Sequence, residues 1–175
     1  HKKIEQTPYL FNFLIKIYFG LIGYQEEYSR IIPASCSALT MITLCFLSKH
    51  LGSERSYIFT LFLISFNIFL ISYSQELRVY STLLFFISLS MLFFFYQLNK
   101  DSNFLIICFT IVTTITILLH PFSFILLLSY IIYSCYLSLN KEINKKLNFE
   151  VMILTIFFIS FYYFFLQNSL DVPTW

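Results

Sequence analysis

Glycine and tryptophan are scarce, with 3 and 1 in 175 residues, and only 11% of the chain is charged. A water-soluble domain carries about 25% charged residues, so this chain lacks the polar surface to cover a globule in water. That excludes a soluble enzyme and a disordered region. There is no glycine-rich phosphate loop, no paired-cysteine motif and no nucleophile elbow. The four cysteines, Cys36, Cys45, Cys108 and Cys135, lie far apart in apolar stretches. A metal site needs clustered ligands and a disulfide framework sits in loops, so buried, inert thiols are expected. A net charge of +2 is too small to imply a nucleic acid partner.

What the chain has in quantity is apolar mass: 58% hydrophobic and 21% aromatic residues, with 23 Phe and 13 Tyr. Mean hydropathy is +0.77. The heavy use of Phe, Ile, Tyr, Asn and Lys partly resembles a bias toward A/T-rich codons, so single Phe or Ile positions carry little signal. The composition as a whole names lipid as the solvent.

Charges mark the boundaries of the apolar runs. Uncharged stretches cover 31–48, 56–75, 79–99, 102–140 and 151–170. A helix needs about 20 residues to cross the hydrocarbon core, so the stretch 102–140 suits two crossings. His120-Pro121 is its natural break, because Pro removes a donor and disfavours helix just before it. Six spans are expected. Polar and apolar residues do not alternate strictly, which argues against a membrane barrel. Pro8 to Gly23 reads differently. Its Asn12 and Lys16 are four apart on one helix face, and 16 residues with a lysine suit a helix lying in the interface. The fold class expected is therefore all-α and polytopic: about six transmembrane helices plus one N-terminal interfacial helix. All of 1–175 forms one partial transmembrane domain, with 1–27 a juxtamembrane segment and 28–170 the spans. The chain begins with His rather than Met, so it reads as a piece of a longer protein.

Loop charges set an orientation. Lys49, Arg55, Lys100, Lys141, Lys145 and Lys146 fall in one set of loops, and Lys2, Lys3, Lys16, Arg30 and Arg78 in the other. Beyond the N-terminal segment the second set keeps only Arg78, so the first set faces the cytoplasm. The second faces outward, and it holds most of the polar residues suited to chemistry.

The strongest local feature there is Tyr73-Ser74-Gln75-Glu76-Leu77-Arg78-Val79-Tyr80, a short turn between two long apolar helices. Ionisable groups at a membrane boundary are functional candidates; the plainer alternative is that they end two helices among headgroups. A second feature is Gly23-Tyr24-Gln25-Glu26-Glu27-Tyr28-Ser29-Arg30, followed by Ile31-Ile32-Pro33-Ala34. It admits an Arg30–Glu26 pair four residues apart. His120, at the outward end of two helices, could donate to phosphate or ligate a metal. His1 opens a polar, basic stretch before the interfacial helix.

These features, in this order, resemble the multispanning C-type glycosyltransferases of the protein-mannosyltransferase and aminoarabinose-transferase group, closest to the branch related to the rhizobial galacturonosyltransferases. Ser74-Gln75-Glu76-Leu77-Arg78-Val79-Tyr80 matches that branch's Ser-Gln-Glu-x-Arg-x-Tyr turn and is the most specific part. Arg30-Ile31-Ile32-Pro33-Ala34-Ser35 matches its Arg-Leu-Pro-Ser segment. Thr7-Pro8 stands where the branch has a double Pro, and Leu119-His120-Pro121 where it has Thr-His-Tyr. The resemblance implies an enzyme moving a sugar from a polyprenyl-phosphate donor to a lipid, glycan or protein acceptor on the outer face of a prokaryotic plasma membrane. It implies Glu76 as a catalytic acid and Arg78, Arg30, Gln75, Tyr80, His120 and His1 as substrate-binding residues. The main catalytic acid of the group would lie before residue 1, and the piece alone would be inactive. No cofactor is certain; a divalent metal is compatible. The alternative from the same residues is a multispanning transporter or lipid-linked sugar flippase, for which broken helices would speak. An accessory membrane subunit and an O-antigen polymerase or ligase are further alternatives.

Overall fold

The computed structural model describes residues 9–23, 26–100 and 102–139. His1, Pro8, the loop after Asn140 and the expected span over 151–170 lie outside the described residues. Contacts divide the chain into two compact units, His1–Ser123 and Phe124–Trp175. All regular structure among the described residues is helical.

The first unit opens with α1, Tyr9–Ile22, where the interfacial helix is expected. Gly23 ends it at φ +87°, and its N–H donates to Phe19 O at 2.9 Å. This left-handed closure favours glycine. Asn12 and Lys16 are both exposed, while Phe11 is buried. A single turn, α2 (Glu26–Ser29), leads into α3 (Ile31–Leu51). Pro33 stands in the first turn of α3, where its missing N–H costs no helical hydrogen bond.

α4 (Ser56–Ser65) and α5 (Ile68–Gln75) occupy the run expected to make one straight span. They are instead bent by 59° at Phe66–Asn67. No Gly or Pro causes the break. Asn67 does, by turning its side chain back on the chain: Oδ1 accepts from Phe69 N at 3.0 Å and Leu70 N at 3.3 Å. Asn is among the strongest N-cap residues, and here it starts a new helix inside an apolar run.

α6 (Val79–Asn99) and α7 (Asn103–Leu119) follow, and a 3-10 turn at Pro121–Ser123 closes the unit. α3 and α6 run parallel. Thr43 Oγ1 meets Ser88 Oγ at 2.6 Å, and further along His50 Nε2 meets Asn99 Nδ2 at 2.9 Å while its ring stacks on Tyr96. α7 runs antiparallel to α6, through Ser90–Thr113 at 2.9 Å and the Phe94–Phe109 ring pair. The interior of this trio mixes Leu47, Phe94, Phe109, Val112 and Ile117 with many small hydroxyl residues. Ser37, Thr40 and Thr43 of α3, Ser81, Thr82, Ser88 and Ser90 of α6, and Thr113 and Thr116 of α7 are all buried. Phe59, Phe62, Phe66 and Phe69 are exposed. Lipid tails are as apolar as Phe, so burying Phe gains little in a bilayer, whereas small residues let backbones approach and hydroxyls bond across helices.

α8 (Phe124–Leu139) belongs to the second unit and is apolar. Among the described residues two helices, α3 and α6, are long and apolar enough to cross a membrane, or three spans if the bent α4–α5 pair counts as one. The sixth expected span, over 151–170, lies outside the described residues, so the described helices do not test the count of six. α7, at 17 residues, is at the short end of the spanning range, and α8 is described for 16 residues. The four cysteines are free thiols; Cys36, Cys45 and Cys108 are half-buried and Cys135 is exposed. They are less buried than expected because apolar residues face outward in this fold.

Candidate active site

The parallel course of α3 and α6 puts their N-termini at one end of the first unit. Arg30 stands immediately before α3 and Arg78 immediately before α6. α5 brings Gln75 and Glu76 to that end, and α7 returns His120 to it. The structure therefore gathers Arg30, Gln75, Glu76, Arg78, Tyr80 and His120 at one end. Lys49, Arg55 and Lys100 fall at the other. His1 lies outside the described residues, as do the side chain of Glu26 and with it the expected Arg30–Glu26 pair.

The turn between α5 and α6 is tight. Arg78 N donates to Glu76 O at 2.8 Å, and Glu76 and Arg78 both take extended backbone angles. The side chains then meet above the same turn: Arg78 Nε lies 3.0 Å from Glu76 Oε2, each side chain about half exposed at 53% and 51%. A guanidinium has five N–H donors in a fixed fork. Glu76 takes the Nε side, which leaves the two terminal nitrogens as the face suited to a bidentate anion.

Below the pair, Leu77 is an anchor. It packs against the buried cluster of Phe11 of α1, Val79 of α6 and Leu119 at the end of α7, as do Ile15 and Leu83. Phe11, Val79 and Leu119 are buried, Leu119 completely. Three elements distant in sequence thus hold the turn from beneath, and α1 lies against the site through its first turns.

Beside the pair runs a row of rings. Tyr73 of α5 and Tyr80 of α6 have centroids 5.1 Å apart, Tyr80 and His120 are 6.3 Å apart, and His120 stacks with Phe122 at 5.0 Å. His120 ends α7 with extended angles, as a residue before Pro should. Its Nδ1 accepts from Phe122 N at 3.2 Å. In the neutral ring that places the proton on Nε2, so the imidazole can act as a hydrogen-bond donor. Gln75 is the last residue of α5 and is exposed. Among the described residues no three His, Cys, Asp or Glu side chains gather as a metal site.

Sequence reasoning passed over Tyr73, Phe122, Leu77 and Phe11 as parts of this end. The first two belong to segments already singled out. The last two carry no polar signal; their role depends on α1 and α7 folding to the same place.

An apolar helical protein with an Arg–Glu pair, a histidine and tyrosines at one end of its bundle has the form of a membrane enzyme acting at the lipid boundary. The comparison with known families gives that form its class. The family model described as dolichyl-phosphate-mannose-protein mannosyltransferase matches residues 6–165, and the chain belongs to this family. It is an integral membrane protein and a membrane glycosyltransferase of the C type, mannosyltransferase-like in general activity. No curated protein and no solved structure matches it.

Proposed function

We propose that the chain is part of an enzyme that transfers a sugar from a polyprenyl-phosphate-linked donor to a lipid, glycan or protein acceptor on the outer face of a prokaryotic plasma membrane. We place it in the branch resembling the rhizobial galacturonosyltransferases. In such a transfer the bond from the anomeric carbon to the phosphate oxygen breaks and a bond to the acceptor oxygen or nitrogen forms. The acceptor's proton goes to a base, and polyprenyl phosphate leaves with added negative charge. The observation that carries the proposal is the Arg78 guanidinium, fixed by Glu76 through Nε at 3.0 Å at the mouth of an apolar bundle. A cation oriented before the reaction stabilises the charge that grows on the leaving phosphate. Arg30, at the same end, is the second cation. Tyr80 and Gln75 offer polar contacts to sugar hydroxyls, and His120 a donor from Nε2. Glu76 is the acid of this group. Its engagement with Arg78 gives it the task of aiming the guanidinium, and we assign the acceptor's base to another part of the enzyme.

The test is donor kinetics in the full-length enzyme reconstituted in liposomes. Charge-assisted hydrogen bonds are worth about 1.5–3 kcal/mol, and Arg78 offers two. Arg78→Ala should lower kcat/KM for a polyprenyl-phosphate sugar by about 100-fold or more, and Arg78→Lys by less. Unchanged donor kinetics in Arg78→Ala would remove it from the site.

A transporter or flippase is the second reading, and the 59° break between α4 and α5 is the observation in its favour. Transporters use such breaks to turn free half-helix N-termini on a substrate. Here Asn67 already takes the N–H groups of Phe69 and Leu70, so its own side chain occupies those donors. Together with the family, that favours the transferase.

A further inference from the structure

A groove of about 610 Å³ lies between α3 and α4, in the part of the first unit that runs toward Lys49, away from Arg78. We propose that it binds an anionic phospholipid, with one acyl chain along the groove and the phosphate at Lys49. Ala38, Met41, Cys45 and Lys49 line one side, at the spacing of a single helix stripe, and Tyr57 and Leu61 of α4 line the other. This stripe is distinct from the hydroxyl face that α3 turns to α6. The gap exists because Ala38 has little side chain to fill it and α4 ends after ten residues at the Asn67 break.

Three observations select this occupant. The first is length. From Ala38 to Lys49 the helix rises about 16 Å at about 1.5 Å per residue, about half of a hydrocarbon core of about 30 Å. The groove is thus one leaflet deep, which suits an acyl chain and not a second crossing helix. The second is chemistry. The lining is apolar until Lys49, and its Ile42 and Phe46 are exposed, so the groove opens toward lipid. The third is charge. Lys49 stands at the mouth, Arg55 directly precedes α4, and the N-terminus of α4 adds its partial positive charge at the same end. Glu54 is 3.7 Å from Lys49, with side-chain exposures of 89% and 52%. Pairs that open contribute little, so a phosphate can displace Glu54. This lipid site is separate from the donor site proposed above, and the two stand or fall independently.

The probe is a phospholipid with a diazirine in the middle of one acyl chain, presented to the full-length enzyme in vesicles as phosphatidylglycerol or as phosphatidylcholine. Labelled peptides are located by mass spectrometry. A cationic side chain near anionic lipid gives about fivefold preference, and two are present. Peptides covering 38–49 and 57–61 should be labelled at least about fivefold more by phosphatidylglycerol. Lys49→Ala with Arg55→Ala should remove that preference while leaving phosphatidylcholine labelling, which reports that the groove is still formed. Ala38→Phe, which fills the groove, should lower labelling by both lipids. Equal labelling by the two lipids, a preference that survives the double substitution, or no labelling of these peptides because a protein segment covers the groove would each overturn the proposal.

Discussion

Replacing Glu76 by Gln separates two roles that a carboxylate beside Arg78 can play. The glutamine keeps an oxygen able to accept from Arg78 Nε and keeps the length of the side chain. It removes only the charge. The turn itself survives, because it is closed by the backbone bond from Arg78 N to Glu76 O and anchored by Leu77 below. The pair lies at 3.0 Å, but both side chains are about half exposed. Open ion pairs contribute about 0.2–1 kcal/mol, which limits the effect of losing the charge on Arg78 to about fivefold. Part of that loss is offset, since the substitution also removes a negative charge next to the donor phosphate. A residue acting as general acid or base contributes about 10²–10⁴-fold instead. The two roles therefore differ by more than an order of magnitude. The assay is initial rates of the full-length enzyme in liposomes, with donor and acceptor varied separately. If Glu76 aims Arg78, the effect appears in the donor's KM and kcat/KM changes by no more than about fivefold. A fall of 100-fold or more in kcat at unchanged donor KM would refute that reasoning and make Glu76 a reacting acid.

Phe11→Ala should unseat α1 from Val79 and Leu119, lowering the unfolding midpoint and raising the donor's KM together. The loss should stay below the about 3–5 kcal/mol of a water-soluble core, because lipid can refill part of the gap; an unchanged KM would separate α1 from the site. Asn67→Ala removes the cap that starts α5 and should cost about 0.5–2 kcal/mol, read as a lower unfolding midpoint in detergent. Thr43→Val deletes the 2.6 Å bond to Ser88 and should cost about 0.6 kcal/mol, the usual worth of such bonds between membrane helices. Ser81→Ala should cost nothing or stabilise, since the buried Ser81 Oγ has no hydrogen-bond partner and an unmet buried polar group is a penalty. Equal losses in these last two variants would contradict the assignment of one hydroxyl as paired and the other as unpaired.

The ends of the helices were legible because charge cannot sit in hydrocarbon. Arg30, Lys49, Arg55, Arg78 and Lys100 all fall at or just outside helix ends, and the runs between them set the order α3, α4–α5, α6. The break at His120-Pro121 was legible because proline acts locally. The break at Asn67 is local too, but an amide inside an apolar run caps a helix only where its side chain turns back on the following N–H groups, which the residue type alone does not fix. The lengths of the helices were less legible. Uncharged length is an upper bound on helix length, and turns such as Ser102 and the one after Leu119 take residues out of a run without carrying charge.

The packing was the least legible part, and the cause is the solvent. In water, large apolar residues at helical spacing mark the buried face. Here α3 buries Ser37, Thr40 and Thr43 and turns Ile42 and Phe46 outward, so the informative periodicity belonged to serine and threonine. The same inversion bears on the candidate site. A charged turn stays at the end of the bundle, so it must be held by specific contacts from several helices. Leu77 against Phe11, Val79 and Leu119 supplies them. The motif Ser74–Tyr80 marks the proposed reacting end in the sequence, but the contacts that hold it come from α1 and α7, whose residues carry no motif. Substitutions at Phe11 or Leu119 should therefore damage donor use without touching a polar atom, and the same substitutions made on the lipid face, at Phe59 or Phe62, should not.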